Sequence, residues 1–201
     1  MKYLLCIALL LVVAGNAQGQ EGVLAFHYNI SIPTQDFTDY IDETSWIGGG
    51  FDGRWFVSPD RPFTLGLAAS WHVFDQELDG TTELPNGAVT GHQHRYVNSF
   101  PIVATAHYYF GDRSRAWAFV GGGVGTYYVL QRFEIGVLAA EQGNWHFGAY
   151  PELGVQVPFR QADLFLSARY NCAFEAGESL SGAAKAYYYP SFQIGLAYHQ
   201  W

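Results

Sequence analysis

The chain has 201 residues, a net charge of −8 at pH 7, 17% aromatic residues and 14% charged residues. Because an ordinary soluble domain carries about 25% charged residues, too few charges remain here to cover a conventional water-facing surface. An acidic chain without basic clusters also excludes a nucleic-acid-binding protein.

Residues 1–19 are predicted to be a cleavable signal peptide. A positive start at Met1-Lys2 precedes the apolar run Tyr3–Val13, and small residues follow it. The run is shorter than the roughly 20 apolar residues that a spanning helix needs. We therefore expect export, with cleavage after Ala17 or Gly19.

Residues 20–201 are predicted to form one domain built from about eight strands. Each segment alternates an apolar row with a row of small or polar residues, as Phe63–Val73 does most clearly. Cys172 is the one cysteine of this domain, which excludes an internal disulfide. The predicted strands are Val23–Ile32, Trp46–Ser58, Phe63–Val73, Tyr96–Phe110, Trp117–Leu130, Trp145–Val157, Leu164–Phe174 and Tyr188–Tyr198.

The two rows indicate which side of the sheet meets lipid. The apolar row is suited to a hydrocarbon environment, whereas the other row, rich in Gly, Ala, Ser, Thr and His, is suited to a narrow lumen. A soluble lipocalin-like barrel would place its apolar row inside and would need a charged exterior, which this chain lacks. The sequence therefore predicts an all-β, closed antiparallel up-and-down transmembrane β-barrel.

The connections between the predicted strands alternate in length, as expected for short periplasmic turns and long outer loops. The long connections hold almost all of the carboxylates, so one rim of the barrel is predicted to be acidic. The short connections are Pro59–Pro62, Gly111–Ala116 and Arg160–Asp163, and the long ones are Pro33–Ser45, Asp75–Gln93, Phe133–Asn144 and Glu175–Lys185.

Aromatic residues lie near the ends of the predicted strands, where girdles at the two membrane interfaces are expected. Each could also pack inside the protein. The residues are Trp46, Trp71, Trp117, Trp145, Tyr108 and Tyr188.

The chain resembles eight-stranded bacterial outer-membrane barrels of the OmpA, OmpX and OmpW type, in particular the outer-membrane β-barrel domain proteins of Bacteroidota. The resemblance rests on the signal peptide, GGGVGTYY at Gly121–Tyr128, PELGV at Pro151–Val155 and FQIGLAY at Phe192–Tyr198. It implies location in the outer membrane, without a periplasmic domain after Tyr198. It also implies contact with lipid, lipopolysaccharide and the barrel-assembly machinery. In such proteins the terminal strand ends on an aromatic residue of the lipid-facing row. Trp201 departs from this pattern, because its position in the alternation puts it on the other row.

Four charged residues are predicted to point into the lumen: Asp52, Arg54, Glu152 and Arg169. Unpaired charges there would cost several kcal/mol, so we expect a salt-bridge network in which Glu152 lies nearly opposite Asn171 and diagonal to Arg169. A small gated channel could use the same charges. An eight-stranded lumen holds only its own side chains or one small ligand.

Two metal hypotheses are weaker. His27, His72, His107 and His146 share the inward row, which suggests hydrogen bonding or, alternatively, a metal or proton path. The acidic run Asp36–Glu43 could bind Ca²⁺, but it lacks the spacing of an EF-hand loop, so a solvated acidic loop is expected. We predict no metal and no cofactor.

No catalytic residue is predicted. A lipid-modifying barrel enzyme needs a lipid-facing His and Ser close together, yet no H-x-S occurs and the strand histidines are expected to face inward. No zinc motif, phosphate loop or nucleophile elbow is present. The sequence thus favours a non-enzymatic outer-membrane protein with a structural or surface-interaction role, in which the acidic outer loops contact lipopolysaccharide through divalent cations, other proteins or host surfaces.

Overall fold

The computed structural model describes residues 21–58, 61–84, 87–112, 114–136, 138–177, 180 and 184–200. The predicted signal peptide and Trp201 lie outside this part of the chain. Within it, eight antiparallel strands form a closed barrel in which neighbours in sequence pair and β8 pairs with β1. The predicted fold class is confirmed. The strands are β1 Gly22–Ser31, β2 Ile47–Phe56, β3 Phe63–Leu84, β4 Gly87–Asp112, β5 Ala116–Ile135, β6 Leu138–Phe159, β7 Ala162–Ala173 and β8 Tyr187–Gln200.

The predicted alternation sets the two faces of the wall. The outward row is exposed and apolar, whereas the inward row is buried and mainly small, polar or aromatic. This inverted arrangement is the one that a barrel in lipid requires. Outward residues include Phe26, Leu65, Leu67, Ile102, Val120, Val124, Leu153, Phe192 and Ile194.

Two of the predicted long loops are strands instead. The β3–β4 ladder continues to the pair Leu84↔Gly87, and the β5–β6 ladder continues to Ile135↔Leu138. Residues 75–84, 87–93, 133–136 and 138–144 therefore belong to two long hairpins. The sequence pattern missed them because their outward row lies outside lipid and is polar, so the apolar row that reveals a strand disappears, although inward residues such as Phe74 and Ile135 are buried.

The turn between β6 and β7 is tighter than predicted. The ladder reaches Phe159↔Ala162, and Arg160 takes a positive φ of 61°, as tight hairpin turns require. Glu152 therefore lies directly opposite Arg169. The predicted pairing of Glu152 with Asn171 is wrong by two residues.

Helical structure plays a small part in the described chain. The 3-10 helix Gln35–Phe37 lies in the connection between β1 and β2. None of the described helices is long and apolar enough to cross a membrane.

Candidate functional site

The four predicted lumen charges meet at one level of the barrel, which we call the charged layer. Arg169 Nη2 lies 2.7 Å from Asp52 Oδ2 and 3.2 Å from Glu152 Oε1. Arg54 Nη2 lies 3.1 Å from Glu152 Oε1 and 3.7 Å from Asp52 Oδ2. All four side chains are buried. Two cations and two anions balance one another, which is the condition for holding charges at such depth.

Two histidines extend the charged layer. His107 Nε2 lies 2.7 Å from Glu152 Oε2, and His27 Nε2 lies 3.2 Å from Asp52 Oδ2. Glycines make room for both rings, because a Cβ on Gly121 of β5 would lie 2.5 Å from the His107 ring and a Cβ on Gly50 of β2 would lie 2.7 Å from the His27 ring. The layer therefore fills the cross-section of the barrel.

Apolar side chains close the lumen between the charged layer and the short turns. This turn-side seal consists of Val23, Ala25, Phe56, Tyr109, Phe119, Phe165 and Ala197. The Arg54 guanidinium stacks 4.4 Å from the centre of the Phe119 ring, and its Nη1 donates to the Tyr109 hydroxyl at 3.1 Å. The seal is thus continuous with the charged layer.

Trp117 also belongs to this side of the lumen. Its ring is 4.6 Å from that of Tyr109 and stacks on Phe56 at 5.4 Å. Of the two positions that the sequence left open for Trp117, an interfacial girdle or internal packing, the structure has the second, since Trp117 packs against the turn-side seal.

The connection between β1 and β2 closes the opposite end. Phe37 and Ile41 are fully buried and Tyr40 nearly so, although the loop was predicted to be solvated. The Phe37 ring lies 4.8 Å from Phe74 and 5.0 Å from Tyr187. This loop-side seal joins a cluster that also includes Val97, Val103, Tyr127, Val129, Tyr150, Ala184 and Tyr189.

Tyr40 is part of the loop-side cluster and lies beside Arg95. Arg95 Nη1 donates to the Tyr40 carbonyl oxygen at 2.9 Å, and the guanidinium lies 5.1 Å from the tyrosine ring. The Tyr40 hydroxyl finds no hydrogen-bond partner among the described residues. Burial raises the pKa of Tyr40 to about 12, against the opposing effect of the nearby Arg95 charge.

The remaining inward histidines lie in separate hydrogen-bonded settings. His72 Nδ1 is 2.8 Å from Ser31 Oγ, and His146 Nδ1 is 2.8 Å from the Phe174 carbonyl oxygen. Across the described ranges, no group of three or more His, Cys, Asp or Glu residues has an arrangement that could hold a metal ion. The acidic loop residue Asp42 is instead bonded to Gln76 through its backbone N–H.

An aromatic belt crosses the outer surface of β3 to β6. Trp71 stacks on Phe100 at 6.2 Å, Phe100 lies 6.3 Å from Tyr128, and Tyr128 lies 5.1 Å from Trp145. Outward residues below the belt are apolar and those above it are mostly polar or charged. From Phe63 to Trp71 the apolar band covers about nine residues, the length of strand that crosses a bilayer. The belt therefore marks one membrane interface.

Above the belt, four strands continue as a sheet, which we call the projecting sheet. It comprises residues 74–84, 87–97, 131–135 and 138–144. β2 pairs with β3 only as far as Val73, and β7 pairs with β6 only from Gly148 onwards. The wall of the barrel is therefore much taller on this side, and the projecting sheet has two lateral edges.

The outward face of the projecting sheet is acidic, and several of its carboxylates lie beside histidine or arginine side chains. His92 Nδ1 lies 3.0 Å from Asp79 Oδ1, and His94 Nε2 lies 4.0 Å from Glu77 Oε1. Arg132 forms an ion pair with Glu134. These pairs lie in a segment predicted to be a loop. His92 and His94 are strand histidines that face outward, so the prediction that the strand histidines face inward is wrong for them.

Comparisons with known structures support the fold. Ail, the attachment invasion locus protein of Yersinia pestis, in complex with the heparin analogue sucrose octasulfate, matches with a TM-score of 0.54 and 12% identity over 90% of this chain and 99% of that one. Ail without this compound gives a TM-score of 0.53 at 13% identity, again over 90% and 99% of the two chains. Neisserial surface protein A superposes more loosely, with a TM-score of 0.45 and 13% identity over 89% of this chain and 94% of that one.

No protein-family model and no curated protein matches the chain. At these identities, the similarity to Ail shows that the chain has the eight-stranded barrel fold of outer-membrane proteins. The predicted resemblance to such barrels is confirmed at that level.

Proposed function

We propose that the chain is a non-enzymatic integral protein of the bacterial outer membrane, with a closed lumen and a surface-interaction role for the projecting sheet. The observation that carries the proposal is the order of layers along the barrel. The charged layer lies between two apolar seals, so its charges hold the strands together and do not line a water path. A small gated channel remains the alternative, and it requires both seals to move.

The polar surfaces of the barrel fit this location. Charged residues at the short-turn end include Asp112 and Arg115, both exposed, and the opposite rim carries the acidic face of the projecting sheet. We infer that this face contacts lipopolysaccharide phosphates through divalent cations, since direct contact would place like charges together. Tyr198, exposed on the terminal strand, is the residue that we expect the barrel-assembly machinery to contact.

The ligand present in the Ail structure is a poor model for this chain. Sucrose octasulfate is a polyanion, whereas the outward face here carries Asp75, Glu77 and Asp79 along β3. Like charges would repel such a ligand. Direct binding of a sulfated glycan to this face is therefore not expected.

Surface labelling in intact cells tests the location and orientation. In a Cys172→Ser background, Glu77→Cys places a thiol on the projecting sheet and Arg115→Cys places one in a short turn. A membrane-impermeant maleimide is expected to label the first variant in intact cells and the second only after lysis. Labelling of the two variants in the reverse order, or recovery of the protein in the soluble fraction, would contradict the proposal.

A further inference from the structure

We propose that two adjacent grooves on the outward surface of β8 bind one phospholipid with an anionic head group, whose phosphate contacts Arg160. This inference rests on the proposed membrane location and adds a ligand site at the short-turn end of the barrel, away from the projecting sheet. Because lipid surrounds the whole outward row, a specific site needs a feature that the rest of the wall lacks.

The wall has a step between the β6–β7 turn and the end of β8. The strand β8 pairs with β7 only as far as Asp163↔Ala197, whereas it pairs with β1 as far as Gly22↔Gln200. The last residues of β8 therefore extend past the start of β7. A groove of about 420 Å³, which we call the head-group groove, lies in this step. It is lined by Phe159, Arg160, Gln161, Ala162, Leu196 and Tyr198.

A second groove, which we call the chain groove, lies on the other side of Leu196 and Tyr198, and these two residues line both grooves. It has a volume of about 490 Å³ and lies between the outward rows of β1 and β8. The outward side chains that line it are all apolar or aromatic and exposed: Phe26, Tyr28, Ile194, Leu196 and Tyr198. A polar turn and an apolar groove side by side match the two parts of a phospholipid.

Arg160 gives the head-group groove a positive charge. Its guanidinium lies 5.4 Å from the centre of the Phe159 ring, and no carboxylate of the described chain forms an ion pair with it. Asp163, the acidic residue nearest to it in sequence, lies instead 2.7 Å from His199 Nε2. A guanidinium can donate two parallel hydrogen bonds to a phosphate. The charge of Arg160 is therefore suited to an anion that arrives from the membrane.

The backbone at Arg160 indicates that its side chain has a role beyond the turn. Its φ of 61° lies in the left-handed region, which glycine adopts readily and residues with a side chain adopt rarely. Glycine is the usual residue at such a position of a two-residue hairpin turn. Strained residues of this kind are concentrated at functional sites. Contact of the guanidinium with a ligand is a gain that would offset the strain.

The head group, and not the chains, determines which lipid this site selects. A chain that enters the chain groove leaves one apolar environment for another, so its burial gives no preference among lipids with the same chains. An arginine near the membrane surface favours an anionic head group by about fivefold. The ligand class is thus a phospholipid with a net negative head group, such as phosphatidylglycerol.

Native mass spectrometry of the full barrel tests the preference. The barrel is released from detergent micelles that contain equal amounts of phosphatidylglycerol and phosphatidylcholine with the same chains. We expect wild type to bind phosphatidylglycerol about five times as often as phosphatidylcholine, and Arg160→Gln to bind the two lipids equally. The matched control is Arg115→Gln, in another short turn, where Arg115 Nε already lies 3.9 Å from Asp112. This control should keep the wild-type preference. Equal binding of both lipids by wild type, or the same loss in both variants, would overturn the inference.

A further variant separates the groove from its charge. Ala162→Trp keeps Arg160 and fills the head-group groove with an indole, which a membrane interface tolerates. The preference for phosphatidylglycerol should be lost in this variant too, whereas a retained preference would show that the lipid contacts Arg160 outside the groove and would contradict the proposal. Each variant is first checked for folding by its gel mobility shift. Because labelling in intact cells measures the membrane location separately, failure of this site is distinguishable from failure of the proposed function.

Discussion

Arg169 and Asp52 form an ion pair across the lumen, in which Arg169 Nη2 donates to both Asp52 carboxylate oxygens, at 2.8 Å and 2.7 Å. The residues belong to β7 and β2, which are separated by β8 and β1 in the wall. The pair therefore links strands that share no backbone ladder. Together with Glu152 and Arg54 it fixes the cross-section of the barrel at the charged layer.

Replacing Arg169 with alanine is expected to destabilise the barrel by about 3–5 kcal/mol, because two carboxylates would remain buried with one cation. The double variant Asp52→Asn with Arg169→Gln keeps the layer neutral and is expected to be less destabilised than the single variant. Urea unfolding, followed by the mobility shift of folded and unfolded barrel on gels, measures both. A double variant less stable than Arg169→Ala would show that charge balance is not the controlling factor.

The assignment of the lipid face predicts the effect of charge at Leu67. Its side chain is exposed on the outward row of β3, below the aromatic belt. Leu67→Arg is expected to cost about 2–4 kcal/mol near the bilayer midplane. The matched control is Glu77→Arg, on the same row above the belt, which should leave the free energy of unfolding nearly unchanged. Equal tolerance of both variants in lipid vesicles would show that β3 does not cross the membrane as described.

The loop-side seal depends on Phe37. Phe37→Ala removes a fully buried ring and is expected to cost about 3–5 kcal/mol locally, releasing the β1–β2 loop. The loop contains Asp36, Asp39 and Glu43, so a protease that cleaves after acidic residues reports its release. Wild type and the exposed control Thr38→Ala should resist cleavage there under conditions that cut Phe37→Ala. A variant as resistant as wild type would show that the ring does not hold the loop.

The same loop should be sensitive to alkaline pH through Tyr40. The folded state favours the neutral phenol, since its pKa rises from 10.0 to about 12 on burial. Its contribution to stability is therefore present below pH 10 and is lost as the pH rises towards 12. Tyr40→Phe retains the ring and cannot ionise. Proteolysis of the loop should rise between pH 10 and 12 more steeply in wild type than in Tyr40→Phe, whereas identical profiles would assign the transition to other groups.

The membrane-spanning part of the fold was predictable because lipid imposes the alternation of apolar and polar rows. For residues such as Leu67 and His72, the position in the alternating pattern is enough to predict whether the side chain points outward or into the lumen. The projecting sheet was not predictable in this way. Glu77 and His94 lie outside lipid, where neither face must be apolar, and only the ladder shows that they are cross-strand neighbours.

The filling of the lumen was predictable in part. The alternation along each strand predicts that Asp52, Arg54, Glu152 and Arg169 face inward. The register that brings Glu152 opposite Arg169 depends on the tight turn at Arg160, whose backbone conformation a sequence pattern does not specify. The aromatic seals were not predicted, because Trp117 was interpreted from its position near a strand end and Phe37 from the acidic residues around it. The spacing of Phe37, Tyr40 and Ile41, typical of one side of a helical turn, was the available signal.

Single-channel recording in planar lipid bilayers tests the closed lumen most directly. The refolded full barrel, whose folding is checked by its gel mobility shift, is expected to insert and to produce no conductance steps. Phe37→Ala should also remain silent, since the turn-side seal around Phe119 and Phe165 is intact. Reproducible wild-type conductance that disappears or changes selectivity in Arg169→Ala would contradict a closed lumen and establish the charged layer as part of a channel.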